Sequence, residues 1–232
     1  MIFILMLKVN IILIIILLTV TLGLIYYFKI NKKTIGDIKK EGFVLHRQFL
    51  DSQYCDRIMM TVNTEMFNKK KEEFFTNGSN RKNIALPLDE NIKPIISIIC
   101  KKVGILSEYK NPVLVECGIK LSYPNANKSN WINKNNNIKT YLVNLDKNTT
   151  QVYSGSHVNK KSKEIVNIDC DRGDMFVLDN RIIKREIEND SKIIKPVFYF
   201  SVKEDNEKDN NKDNIYALKS EYRGKVNLKK IL

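Results

Sequence analysis

The sequence predicts an α+β domain with a β-sandwich or jelly-roll core, and three observations lead there. Two segments carry helical spacing of apolar residues behind capping side chains. Everything after Pro112 changes to the two-residue period of strands. The strand-like runs are short and closely spaced, which suits a sandwich or barrel better than a parallel sheet.

The first helix starts at Asp51-Ser52, both good N-caps, and runs to about Asn68. Asp89 caps the second, in which Ile92, Ile95, Ile96, Ile99 and Val103 recur on one face; Pro94 is tolerated because it falls in the first turn. PVLVECGIKLSY (112–123) alternates as a half-buried strand does. IKTYLVNL (138–145), TQVYS (150–154), EIVNID (164–169), DMFVLD (174–179), RIIKREI (181–187) and IIKPVFYFSV (193–202) continue the pattern. Pro196 lacks a ladder donor and predicts an edge position for the last of these. Gly173-Asp174 reads as a tight turn into a strand, Asp179-Asn180 as a β-turn and His157 as a turn residue.

Composition narrows the classes. The 232 residues hold 39 Lys+Arg against 26 Asp+Glu, a net charge of +13, and 43% hydrophobic residues exclude global disorder. Nine Gly and five Pro exclude collagen-like architectures, and four cysteines with no C-x-x-C pair exclude a disulfide scaffold or zinc ribbon. The two histidines, His46 and His157, cap any chemistry that needs several imidazoles. The lysines are interspersed with acids, a basic protein surface that reads as solvated and facing anionic membrane rather than as a nucleic-acid site.

An apolar run over 9–28, within an N-terminal segment 1–28, has the ~30 Å reach of a transmembrane helix and ends in Tyr26 and Tyr27. The lysines that follow predict a single-pass membrane protein with its C-terminal domain in the cytoplasm. Sequons at Asn77, Asn127, Asn148 and Asn189 point the other way. A charged linker covers 29–41, the compact domain 42–203, and a polar spacer with a basic tail 204–232.

Three segments resemble the iron- and 2-oxoglutarate-dependent oxygenases, in their phytanoyl-CoA dioxygenase and prolyl 4-hydroxylase branches. GFVLHRQFLDSQYCDRIM (42–59) is similar to the opening strand, turn and helix. YLVNLDKNTTQVYSGSH (141–157) resembles the strand, acidic turn and closing Gly-Ser-His. GDMFVLDNRIIKREIENDSKIIK (173–195) resembles the Gly-Asp strand and the spaced His, Asn, Ser and basic residue that follow it. The resemblance implies a double-stranded β-helix (cupin-like) core over about 42–203, with the N-terminal helices packed on its sheet.

In that family two histidines and a carboxylate hold iron, and a basic residue pairs with the far carboxylate of 2-oxoglutarate. Carried over, the first His and the acid fall on Ile132 and Lys134 in one register, or on Trp131 and Asn133 in the other. The second His falls on Lys184, and the family's Asn and Ser positions on Asn189 and Ser191. The basic residue is Lys195. No metal ligand and no catalytic residue is therefore assigned, and no cofactor is expected. The ligand-binding candidates are Lys195, Lys184, Trp131, Tyr123 and Ser191, with Trp131 read equally as rim packing. Glu116 and Asp146 are acids without evident partners. The resulting expectation is a membrane-anchored, non-catalytic oxygenase-like domain, a pseudoenzyme, that binds an anionic small molecule or a protein partner. The alternatives are an active 2-oxoglutarate-dependent dioxygenase with an atypical site, using iron and 2-oxoglutarate, and a structural component of a membrane or virion.

Overall fold

The computed structural model describes residues 14, 16–23, 34–68, 74–75, 80–86, 88–133, 137–162, 164–205 and 226–231. The chain divides into two compact units, Met1–Ile35 and Gly36–Leu232. The first contains helical residues 14 and 16–23 (α1) and the strand β1 (Thr34–Ile35).

The expected membrane span over 9–28 is corrected here. Among the described residues no helix is long and apolar enough to cross a membrane. The rest of 9–28 lies outside the described residues. The single-pass localisation, with the cytoplasmic placement that depended on it, falls with the span.

The second unit begins with β2 (Phe43–His46) and α2 (Ser52–Asn68). The Asp51 carboxylate caps α2, accepting the Tyr54 N–H at 3.1 Å. The short strands β3 (Phe74–Phe75) and β4 (Arg81–Ala85) follow, then α3 (Ile92–Lys102) and α4 (Ile105–Glu108). Asp89 caps the entry to α3 by accepting the Asn91 and Ile92 N–H groups at 2.9 and 3.0 Å. Next come β5 (Pro112–Ser122), β6 (Lys139–Asn144), β7 (Asn148–Tyr153), β8 (Ile165–Cys170), β9 (Met175–Asp179), β10 (Lys184–Glu186) and β11 (Lys195–Glu204). Two elements, β12 (Val226–Asn227) and α5 (Leu228–Ile231), fall in the segment assigned to the tail. β12 pairs with β5 and Leu228 is fully buried, so this part of the chain completes the sheet.

Within this unit the larger sheet runs β2-β9-β6-β11-β5-β4-β3, and the smaller runs β10-β7-β8. All the paired strands are antiparallel. Along the chain the strands alternate between sheets: β5 in the large one, the Ile132–Lys184 bridge in the small one, β6 large, β7 and β8 small, β9 large, β10 small, β11 large. That winding is a double-stranded β-helix, as the resemblance implied.

Two cores result. Ile58 and Val62 of α2 and Ile92, Ile95, Ile96 and Ile99 of α3 cover one face of the large sheet, against Ile119, Val143, Val177, Phe198 and Phe200. Between the sheets, Leu142, Phe176, Val197 and Tyr199 meet Val152, Ile168 and Cys170. The strand at 112–123 is therefore not half-buried as its alternation suggested. Most of β5 is buried on both faces, because helices lie on one side and the small sheet on the other. Pro196 does not mark an edge either. β11 is a central strand between β5 and β6, and its pairing with β6 begins at Val197, one residue beyond the proline. A proline near the start of a strand costs no ladder bond on the side where pairing has not begun. The expected strand over 181–187 shortens to β10. Arg181 closes a turn onto Asp179, with Nη2 to Oδ2 at 2.6 Å, and Ile182 is wholly buried where the chain passes between sheets. Asn180 is more than a turn residue: it is buried, and its Oδ1 accepts the Thr140 hydroxyl at 2.8 Å.

Gly173 makes the predicted tight turn. Its φ of +85° favours glycine, and a Cβ there would run into the Leu50 carbonyl. The buried Asp174 beside it is a tether: it accepts Arg47 Nη1 at 2.6 Å and the Gln48 and Asp171 N–H groups at 2.8 and 2.9 Å.

Candidate functional site: the basic end of the barrel

Strand alternation decides which side chains enter the barrel. On β5, Lys120 and Ser122 point inward; on β11, Lys195 and Val197; on β6, Leu142 and Asn144. On the small sheet Lys184 pairs with the fully buried Val152, and Glu186 with Thr150, so both are on the inward face. At one end lies a cavity of about 20 Å³, lined by Arg81 of β4, Lys120, Ser122, Asn144, Thr150, Glu186 and Lys195 over a floor of Leu142, Phe176 and Val197. That volume holds roughly one water molecule.

The charges are joined across the sheets. Arg81, whose side chain is 8% exposed, donates from Nη1 to Glu186 Oε2 at 2.7 Å and to Ser122 Oγ at 3.0 Å. Its Nη2 donates to the carbonyls of Asn127, at 3.2 Å, and Ile187. Arg81 Nε is buried and has no partner among the described residues. Lys120 Nζ reaches Glu186 Oε1 at 3.2 Å and lies over the Tyr199 ring. Burial pushes the Glu186 carboxyl upward, but Lys120 and Arg81, with Lys184 contributing, outweigh it and hold Glu186 below the usual carboxylate range. Among the described residues Lys195 has no acidic partner.

The sequence-derived candidates separate. Lys195 lines the cavity; Lys184 lies on the inward face of the small sheet, two residues before Glu186, and is not among the lining residues. Trp131 faces outward, its ring tilted against that of Tyr153 at 4.3 Å with the Arg185 guanidinium 4.2 Å over it, so it packs on the outer surface of the small sheet. Tyr123 ends β5; its N–H is held by the Asn80 carbonyl and its ring carries Lys82 Nζ at 5.3 Å. Ser191 bonds Asn189 Oδ1 at 2.5 Å and shapes the loop before β11. Glu116 accepts the Ser201 hydroxyl at 3.2 Å, and the Asp146 carboxylate accepts the Lys147 N–H. Arg81, Lys120 and Glu186 were missed. Glu186 had one available signal, its placement two residues after Lys184 and hence on the same strand face; no local pattern marks Arg81.

Among the described residues, the position that the resemblance gives to the metal offers no imidazole and no carboxylate. At the position that the resemblance gives to the metal, Ile132 and Lys184 exchange backbone hydrogen bonds of 2.8 and 2.9 Å and contribute an aliphatic chain and an ammonium. Asn133 and Trp131 flank them, and Lys134 lies outside the described residues. Among the described residues no three His, Cys, Asp or Glu side chains converge as a metal site. His157 bonds the Lys39 carbonyl at 3.0 Å through Nε2, and His46 packs against the Phe49 ring at 5.7 Å; neither lines the cavity. The four cysteines are buried and unpaired, and burial pushes the Cys100 and Cys170 thiols up to about 12, far from the thiolate that nucleophilic chemistry requires.

Burial lowers the His46 pKa from its ordinary 6.5. Between the two values the unfolded chain binds more protons than the folded one, so His46 contributes stability that is present above pH 6.5 and is lost as pH falls toward the folded value. The stability of the wild type to urea should fall from about pH 7.5 to 5.5 by more than that of His46→Leu. Parallel pH profiles for the two proteins would contradict the burial of this ring.

No protein-family model matches the sequence, and no curated protein does. Among solved structures, the non-heme α-ketoglutarate-dependent epimerase SnoN from nogalamycin biosynthesis aligns with a TM-score of 0.62 at 11% identity, covering 72% of this chain and 80% of that one. The carbocyclase SnoK of the same biosynthesis aligns at 0.59 and 12%, over 72% and 81%. HygX from Streptomyces hygroscopicus, solved with nickel and 2-oxoglutarate bound, aligns at 0.55 and 9%, over 72% and 84%. The chain thus has the antiparallel, cupin-like α+β fold of the non-heme 2-oxoglutarate-dependent enzymes.

Proposed function

We propose that this chain uses the oxygenase barrel as a binding site for a small anion rather than as an iron centre. One observation carries the reading. The basic end of the barrel gathers Arg81, Lys120 and Lys195, while Ile132 and Lys184 stand where the resemblance would put metal ligands. Lysine recognises a carboxylate as a point charge, arginine as a directed donor, and a cavity between two sheets strengthens both by excluding water. An ammonium at the metal position repels a dication. The expected results for the purified full chain are no stoichiometric Fe(II), Mn(II) or Co(II), and a rise in melting temperature with short dicarboxylates. Lys195→Met should abolish that rise while leaving the fold intact by circular dichroism. Stabilisation that survives Lys195→Met would refute the anchor.

The second reading is an active 2-oxoglutarate-dependent dioxygenase with an atypical site. The likeness in fold favours it, because the neighbours are 2-oxoglutarate-dependent enzymes and HygX carries nickel and 2-oxoglutarate. Stoichiometric metal uptake together with conversion of 2-oxoglutarate to succinate would decide for this reading against the first.

A further inference from the structure

We propose that the Glu186 carboxylate is the built-in occupant of the anion site, and that a small free carboxylate binds by displacing it from Arg81 and Lys120. The inference rests on reading the basic end of the barrel as an anion site; it adds the ligand class and an internal competitor.

Glu186 is held as a ligand would be. Its two oxygens are divided between cations from two strands of the opposite sheet, Oε2 on Arg81 at 2.7 Å and Oε1 on Lys120 at 3.2 Å. The surroundings hold more positive charge than this one carboxylate neutralises. Arg81, Lys120 and Lys195 all line the cavity, and Lys184 adds its field to Glu186. Arg81 is more than nine-tenths buried, yet its Nε donor has no partner among the described residues. A buried guanidinium normally satisfies its donors, and one left over marks a site built for more acceptor than Glu186 provides.

Room points the same way. With Glu186 in place the cavity of about 20 Å³ takes a water molecule and not a dicarboxylate. The side chain has somewhere to go: it is 28% exposed, and β10 is a three-residue strand whose residues are all half-buried. A purely structural ion pair between the sheets would show the same two contacts. It would not account for the unused Arg81 donor or for the uncompensated Lys195.

The test uses the full chain, with succinate and acetate as probes in a buffer of low chloride. Calorimetry should show succinate binding at least about tenfold more tightly to Glu186→Gln than to the wild type, about 1.4 kcal/mol. Glu186→Ala should melt lower than the wild type in the absence of acid and recover with acetate, which replaces the missing carboxylate. Adding Lys195→Met to Glu186→Gln should remove the gain for succinate. Equal succinate affinity in wild type and Glu186→Gln, with no acetate effect on Glu186→Ala, would overturn the displacement. If the wild type, Glu186→Gln and Glu186→Ala are all folded and none binds either acid, the anion-site reading itself falls, which is a different result. Should Glu186→Gln fail to fold, Glu186→Asp retains the charge on a shorter arm. It should bind succinate more tightly than the wild type, and unchanged affinity would again count against the proposal.

Discussion

Replacing Arg81 with methionine should lower the stability of this protein by about 3–5 kcal/mol, the usual cost of removing one partner from a buried ion pair. Arg81 reaches from β4 across the barrel to Glu186 on β10, residues separated by 105 positions in the chain, and also holds Ser122 and the carbonyls of Asn127 and Ile187. Methionine fills much of the volume but leaves Glu186 with Lys120 alone and the Asn127 and Ile187 carbonyls without that donor. Part of the loss comes from Glu186, which keeps Lys120 but loses its shorter ion pair. Arg81→Met with Glu186→Gln should therefore recover a substantial part of it, a coupling of about 1–3 kcal/mol in a double-mutant cycle. Chemical denaturation of the four proteins provides the measurement. Strict additivity of the two substitutions would show that the pair is not coupled.

Phe198→Ala should cost about 3–5 kcal/mol as well, for a different reason. Phe198 is fully buried on β11, the central strand, with its ring 6.2 Å from Phe200 in the core shared by the large sheet and the two helices. The loss combines transfer of the ring from water with a cavity that β5 and β6, fixed on both sides of β11, cannot collapse to fill. At this chain length each kcal/mol moves the melting temperature by roughly 2–4 °C, so a fall on the order of 10 °C is expected. A fall below about 3 °C would mean that the helical layer does not pack on β11 as described.

Much of the architecture was legible because its signals are local. Asp51 and Asp89 announced two helices through their carboxylates, and the isoleucine spacing of α3 showed its buried face. The strand runs from 112 to 202 followed alternation and turn residues, and their order matched the winding of the barrel. Lys195, which lines the cavity, was picked out by its place in the segment that resembles the oxygenases. The errors share one cause. Alternation in β5 was read as one wet face, and Pro196 as an edge, because a strand's own residues do not say what covers it. The apolar run near the N-terminus was read as a membrane span from hydropathy alone, whereas among the described residues no helix is long and apolar enough to be one.

The chain's periodicity and capping residues determined that this is an α+β protein with a jelly-roll core, since those features act over a few residues. Tertiary structure decided what the barrel contains. Arg81, Lys120 and Glu186 lie on three strands of two sheets, with Lys120 and Glu186 separated by 66 positions. A lysine or glutamate has the same local preferences in solvent as in a cavity. Only the closing of one sheet over the other makes their charges neighbours, removes water from between them, and turns scattered polar residues into a site.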